Sequence, residues 1–133
     1  MAINRRILAV VSDAYRGEEL FRALNPRGFW VSSCVRPQHL EGVLRSFSPR
    51  TIIVDFDPLS WAQHRDGLGA VLQGRDVVLV ARNSKQHDVK FTGLSPRGIV
   101  CGLPTWDALS IWLDVPEAAD PRRRTYNEVP PMG

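Results

Sequence analysis

The stretch PRTIIVDFDP, residues 49–58, decides the fold that this sequence predicts. Four residues of high strand propensity, TIIV at 51–54, run without polar interruption into Asp55, and a proline bounds the stretch on each side. A short continuous apolar run of this kind indicates a strand that is buried on both faces, as in a parallel sheet. Asp55 would then lie at the carboxyl edge of the sheet, where open α/β sheets bind ligands.

The same stretch has a purely structural interpretation. Asp55 or Asp57 could cap the helix that follows, with Pro58 in its first turn. The stretch alone leaves the functional and the capping interpretations equally open.

Apolar runs and amphipathic segments alternate on both sides of this stretch. In the clearest helix Leu40, Val43, Leu44 and Phe47 keep the i, i+3, i+4, i+7 spacing of one apolar face. The predicted strands are residues 7–11, 29–35, 51–54, 77–80 and 99–103, and the predicted helices are residues 17–24, 37–47, 61–72 and 105–115. Residues 83–98 are expected to hold at most a short helix. This alternation predicts a five-stranded parallel sheet of order 2-1-3-4-5 between helical layers, a flavodoxin-like three-layer sandwich.

Length and composition fit one domain. The chain has 133 residues, 44% of them hydrophobic and 23% charged, with a net charge of +3. We expect a domain over residues 1–115 and a mobile, proline-rich tail over residues 116–133. Cys34 and Cys101 lie in apolar segments and are expected to be reduced. No signal peptide or membrane-length apolar run is recognisable, which predicts a cytoplasmic protein.

Two carboxylates are predicted to meet at the carboxyl edge. The order 2-1-3-4-5 places strands 1 and 3 side by side, so Asp13 and Asp55 should converge. Two such carboxylates repel each other unless a cation lies between them, and Mg²⁺ commonly binds one or two carboxylates together with phosphate oxygens. A carboxylate can also attack a phosphoryl group. The pair therefore suggests a phosphoaspartate site.

At this point the sequence resembles the response-regulator receiver family, from Arg6 to about Val115. Ser12 and Asp13 stand where receivers carry an acidic pair, and Asp55 stands where they carry the phosphorylated aspartate. Asp57 matches the position whose backbone carbonyl joins the metal shell. The resemblance thus implies Asp55 as phosphoacceptor and Asp13, Asp55 and the Asp57 carbonyl as ligands of Mg²⁺.

Two receiver landmarks are degenerate. Ala81 stands where the family has Ser or Thr, and Leu103 stands where it has the Lys that contacts the phosphoryl oxygens. Pro104 is retained as the candidate for the family's cis-proline bond. Without the lysine, a transferred phosphoryl group lacks a cationic partner. Without the hydroxyl, the domain lacks the group that reports phosphorylation to the output face in receivers. The resemblance therefore implies an atypical receiver, or pseudo-receiver.

The sequence leads to a function in signal transduction rather than catalysis. We expect a stand-alone atypical receiver domain that acts by protein–protein contact, with little or no phosphorylation switching. One alternative is a working receiver that accepts a phosphoryl group on Asp55 from a histidine kinase. A further alternative is a small hydrolase or transferase that uses the edge formed by Asp13 and Asp55, although no nucleophile–base pair is visible.

The expected partner is another protein, either a sensor kinase or an output protein. Receivers commonly dimerise through the face of helix 4, strand 5 and helix 5, so a homodimer is a second possibility. Trp106 and Trp112 are the interface candidates on the last helix, with at least one of them expected to pack in the core. No general basic face is apparent apart from the run RRR at 122–124, so neither nucleic acid nor a membrane is an expected partner.

Overall fold

A five-stranded sheet forms the centre of the protein. The computed structural model describes residues 4–82 and 96–113 of the chain. The strands are β1 (Arg6–Val11), β2 (Trp30–Cys34), β3 (Thr51–Asp55), β4 (Val77–Ala81) and β5 (Gly98–Cys101). All neighbouring strands pair in parallel, in the order β2-β1-β3-β4-β5. The predicted sheet order is confirmed.

In the described part of the chain, four α-helices connect or follow the strands. They are α1 (Ala14–Leu24), α2 (Leu40–Phe47), α3 (Pro58–Leu72) and α4 (Trp106–Ser110). Helices α1 and α3 begin three residues earlier than the apolar pattern predicted, because Asp13 and Asp57 cap their first turns. Helix α4 is shorter than the predicted helix 105–115. It begins after the Thr105 cap and ends at Ser110.

Two apolar cores lie on opposite faces of the sheet, because successive side chains of a strand point to opposite sides. Ile52 and Val54 of β3 belong to the core beneath α2 and α3, whereas Ile53 belongs to the core beneath α1 and α4. The side chains of β3 and β4 are buried throughout. The three-layer arrangement inferred from these uninterrupted apolar runs is therefore correct.

Several sequence-based expectations fall on residues outside the described ranges. The short helix expected within residues 83–98 lies mostly in the segment 83–95, and the proposed tail lies wholly beyond residue 113. Within residues 4–82 and 96–113, no helix has the length and apolar character needed to span a bilayer.

Candidate functional site

Asp55 is the buried centre of the carboxyl edge. It is the last residue of β3 and lies between Val11 of β1 and Val80 of β4 in the sheet register. Its relative exposure is 0%, although it is a carboxylic acid. A buried carboxylate is costly unless it is paired and hydrogen-bonded, so its neighbours decide what it can do.

Arg82 binds both oxygens of the Asp55 carboxylate. Arg82 Nε lies 3.2 Å from Asp55 Oδ1, and Arg82 Nη2 lies 2.6 Å from Asp55 Oδ2. The same Nη2 donates to Oε1 of Glu19 on α1 at 2.5 Å. This two-point pairing between guanidinium and carboxylate is among the strong charge-assisted hydrogen-bond geometries.

A second arginine joins Asp55 to Asp13. The Nη1 group of Arg16 forms an ion pair with Asp13 Oδ2, and the Arg16 backbone N–H donates to Asp13 Oδ1 at 2.9 Å. Arg16 Nε lies 3.6 Å from Asp55 Oδ1. The two aspartates thus share a neighbour at this edge, and that neighbour is a guanidinium group.

Asp57 has a capping role. Its carboxylate accepts hydrogen bonds from the backbone N–H of Ser60 at 2.8 Å and from the Ser60 hydroxyl at 2.9 Å. Its carbonyl accepts the N–H of Trp61 at 2.9 Å, as the first bond of α3. Its own N–H donates to Ser12 Oγ at 3.0 Å. The carbonyl predicted to join a metal shell is therefore used by the helix, and the capping interpretation applies to Asp57.

The pKa directions follow these contacts. Burial raises the pKa of Asp55, and the hydrogen bonds and charge of Arg82 act against that rise. The hydrogen bond to Asp55 raises the pKa of Arg82 further above its usual range, so Arg82 remains cationic. For Asp13, hydrogen bonds from Arg16 outweigh the effect of burial and lower the pKa. The Ser60 backbone N–H lowers the pKa of Asp57.

These contacts are a poor fit for Mg²⁺. The ion requires near-octahedral oxygen ligands and would have to displace guanidinium groups of the same charge sign. Both oxygens of Asp55 and both oxygens of Asp13 already accept N–H groups of Arg82 or Arg16. Across residues 4–82 and 96–113, no three His, Cys, Asp or Glu side chains are grouped so as to hold a metal ion.

The structure corrects the expectation of a cis-proline bond. Ala81 is the buried last residue of β4, and Leu103 is exposed in the turn after β5. No peptide bond in the described residues is cis, so the bond between Leu103 and Pro104 is trans. An X–Pro bond favours trans unless its surroundings favour cis. Here the Thr105 N–H donates to the Leu103 carbonyl at 2.9 Å and closes the turn.

Both tryptophans of the last helical segment are half-buried and pack against the core beneath α1 and α4, as was expected of at least one of them. Trp106 contacts the ring of Phe29 with centroids 6.2 Å apart, and the Arg27 guanidinium lies 5.0 Å from the centroid of the Trp106 ring. The Trp112 ring covers the backbone of Gly98. The expected dimer face also includes residues 83–95, which lie outside the described ranges.

Sequence reasoning missed the three residues that control Asp55. Arg82 offered a signal, since it directly follows β4 and must lie at the same edge as Asp55. Arg16 and Glu19 lie in the first turns of α1, which starts from that edge. The positions of Arg16 and Arg82 along the chain gave no indication of which carboxylate each arginine would bind.

Comparisons with known proteins show the fold. No protein-family model matches the sequence, and no match was found among curated proteins. One similar solved structure is a fusion of amino acids 181–211 of the yeast Spc42 trimeric coiled coil with another structure. It has 16% identity and a TM-score of 0.64, over 92% of this chain and 88% of that one. Another is a CheY-like protein, TadZ, from Pseudomonas aeruginosa PAO1, with 11% identity and a TM-score of 0.58. The match covers 81% of this chain and 89% of that chain. The protein therefore has a CheY-like, flavodoxin-like fold.

Proposed function

We propose that this protein is an atypical receiver-like signalling module that acts through protein contact, and that Asp55 is not a phosphorylation switch. The CheY-like architecture supports the receiver-like part of the proposal. The proposal that Asp55 is not a phosphorylation switch rests on one observation. Both oxygens of the fully buried Asp55 carboxylate are paired with Arg82.

The pairing acts against phosphoryl transfer in two ways. A carboxylate attacks phosphorus through an oxygen lone pair, and here each oxygen is directed at a guanidinium N–H group. Moving Arg82 away would deprive the buried Asp55 carboxylate of the guanidinium that binds both of its oxygens, which is strongly unfavourable. The guanidinium groups of Arg16 and Arg82 provide the positive charge that a receiver takes from Mg²⁺ and lysine. We therefore assign no catalytic role to Asp13, Asp55 or Asp57.

Exposed apolar side chains support contact through the region of β5 and α4. Ile99, Leu103 and Ile111 are exposed there, with Ile111 at 72%. Sedimentation velocity tests whether this region carries a homodimer: the double variant Leu103→Asp/Ile111→Asp should reduce any dimer fraction. Leu59→Asp, at an equally exposed position on α3, is the matched control and should not.

Phosphorylation is tested directly by mass. The purified protein is incubated with Mg²⁺ and acetyl phosphate, and its intact mass is measured. We predict no gain of a phosphoryl group, so that the protein behaves like its Asp55→Asn variant. A phosphoryl-sized gain that Asp55→Asn abolishes, in a protein shown to be folded by circular dichroism, would refute the proposal and establish a working receiver.

A further inference from the structure

Each strand of the sheet has an arginine at its first residue or within the three residues before it. We call this end of the sheet the amino edge, and its arginines are Arg5 and Arg6 at β1, Arg27 before β2, Arg50 before β3, Arg75 before β4 and Arg97 before β5. Because each of them belongs to a different part of the sequence, no basic run is visible in the chain. The fold places them along one edge of the sheet, which their separation along the sequence does not reveal.

Backbone hydrogen bonds fix this alignment. The Trp30 N–H donates to the Arg5 carbonyl, and the Arg50 N–H donates to the Arg6 carbonyl, both at 2.9 Å. The Arg97 N–H donates to the Val77 carbonyl at 2.7 Å. Strands in a sheet are about 4.8 Å apart, so the row extends over roughly 19 Å across five strands.

The two edges of the sheet differ in their balance of charged side chains. Asp76 lies beside this row and pairs with Arg97 at 2.9 Å. Arg27, Arg50 and Arg75 are exposed. At the carboxyl edge, by contrast, Asp13, Asp55 and Glu19 are paired with Arg16 and Arg82. An ordinary solvated surface would mix the signs, whereas among the described residues at these strand starts six are arginines and Asp76 is acidic.

Trp30 adds an exposed aromatic ring to the row. It is the first residue of β2 and is 63% exposed, which is unusual for so large an apolar side chain. The Arg6 guanidinium lies 5.7 Å from the ring centroid. The ring is thus held beside the arginine row with much of its surface open to solvent.

We infer that the amino edge binds single-stranded nucleic acid, with phosphates on the arginine row and a base stacked on Trp30. Guanidinium groups match phosphate geometry through two parallel hydrogen bonds. A positive row combined with a stacking ring is the arrangement that binds single strands with little sequence preference. A membrane surface would require several exposed apolar side chains that insert into it. Among the first residues of the described strands, Trp30 is the one that is large, apolar and exposed.

The test is fluorescence anisotropy of the full chain with a labelled oligothymidine of about 15 nucleotides at low salt. The double variant Arg50→Gln/Arg75→Gln should weaken binding and reduce the slope of log Kd against log salt by about 1.4. Its matched control is Arg36→Gln/Arg65→Gln, which removes equal charge away from the row and should bind like the unaltered protein. If the double variant is less stable, Arg75→Gln alone should halve the change in slope.

The aromatic contribution is tested separately. Trp30→Leu should weaken binding about tenfold, and Trp30→Phe should retain most of the affinity, because stacking requires a ring. Thermal unfolding of each variant confirms that it is folded.

Four outcomes would overturn the inference. The first is no binding at low salt, and the second is an equal loss in the two double arginine variants. The third is loss of binding on changing residues 122–124 to Gln while the row variants bind normally, since the tail would then be the site. The fourth is tighter binding to phosphatidylserine vesicles or to polyglutamate than to the oligonucleotide, with the same dependence on the row. Tighter binding to the vesicles would assign the edge to a lipid surface, and tighter binding to polyglutamate would assign it to an acidic protein.

Discussion

Asp55 and Arg82 behave as one unit at the residue scale. The carboxylate has no exposure to water, so its charge depends on the guanidinium that binds both of its oxygens. Arg82 is about one fifth exposed, whereas Asp55 is fully buried. Arg82 is therefore the residue through which the pairing can be tested.

Arg82→Ala should destabilise the protein by about 3 kcal/mol, because the buried Asp55 carboxylate loses the guanidinium that binds both of its oxygens. We place the effect at the lower end of the usual range because Arg16 remains 3.6 Å from Asp55. The measurement is the free energy of unfolding in urea.

Glu19→Gln is the matched control for Arg82→Ala. It removes the other acidic partner of Arg82, which is partly exposed, and should cost less than about 1 kcal/mol. In the Asp55→Asn background, Arg82→Ala should cost clearly less than it does alone. Equal costs in the two backgrounds would show that the two side chains are not coupled.

The sequence allowed Asp55 to be placed but not its partners. An apolar run that ends in an aspartate locates the carboxylate at the end of a buried strand. The partner of that carboxylate depends on the conformations of the long side chains that follow β4 or belong to α1. The pattern of apolar residues does not predict which ion pair Asp55 forms. For this reason Asp13 and Asp55 were expected to share a metal ion.

At the scale of elements, Trp112 and Gly98 show how the last helical segment is attached. A Cβ atom at Gly98 would overlap the Trp112 ring, so the ring packs directly on the backbone where β5 begins. The sequence predicted an apolar helix here. It did not predict that the Trp112 ring would pack on the backbone of Gly98 in β5.

Gly98→Ala should therefore destabilise the protein, by about 1–3 kcal/mol, as overpacking does. Gly67→Ala is the control, because Gly67 lies within α3 and nothing beyond its chain neighbours and its own helix backbone is within 4 Å of the added methyl group. It should stabilise the protein by about 0.5–1 kcal/mol. Thermal and urea unfolding measure both. A neutral Gly98→Ala substitution would argue against the close contact.

The cap of α3 should make stability depend on pH through Asp57. Its pKa lies below the ordinary value of 3.8 because the charged form accepts the Ser60 N–H. A depressed pKa contributes stability that is present above pH 3.8 and is lost as the pH falls through the folded-state value.

Asp57→Asn keeps an oxygen acceptor but not the charge. The unaltered protein should be the more stable of the two near neutral pH, and the difference should shrink as the pH falls below about 4. Urea unfolding across this range measures it. A difference that stays constant with pH would show that the carboxylate charge contributes nothing to the cap.

At the scale of the whole molecule, the sheet separates two edges of different charge. The carboxyl edge carries Asp13, Asp55 and Asp57 with arginines set among them, and the amino edge carries the arginine row. The order of the strands was predictable, because alternating apolar runs and right-handed crossovers leave few topologies. The charge pattern was not, because it depends on which strand ends become neighbours in space.

The central claim is that Arg16 and Arg82 occupy the place that a metal ion takes in a working receiver. The most direct measurement is a titration with Mg²⁺ in the millimolar range, followed by the backbone amide NMR shifts of Ser12, Asp13, Asp55 and Asp57. We predict no saturable shift at these amides, and no difference in this respect between the unaltered protein and Asp55→Asn. Saturable shifts centred on Asp13 and Asp55 that Asp55→Asn abolishes would show that Mg²⁺ displaces the arginines, and would contradict the claim.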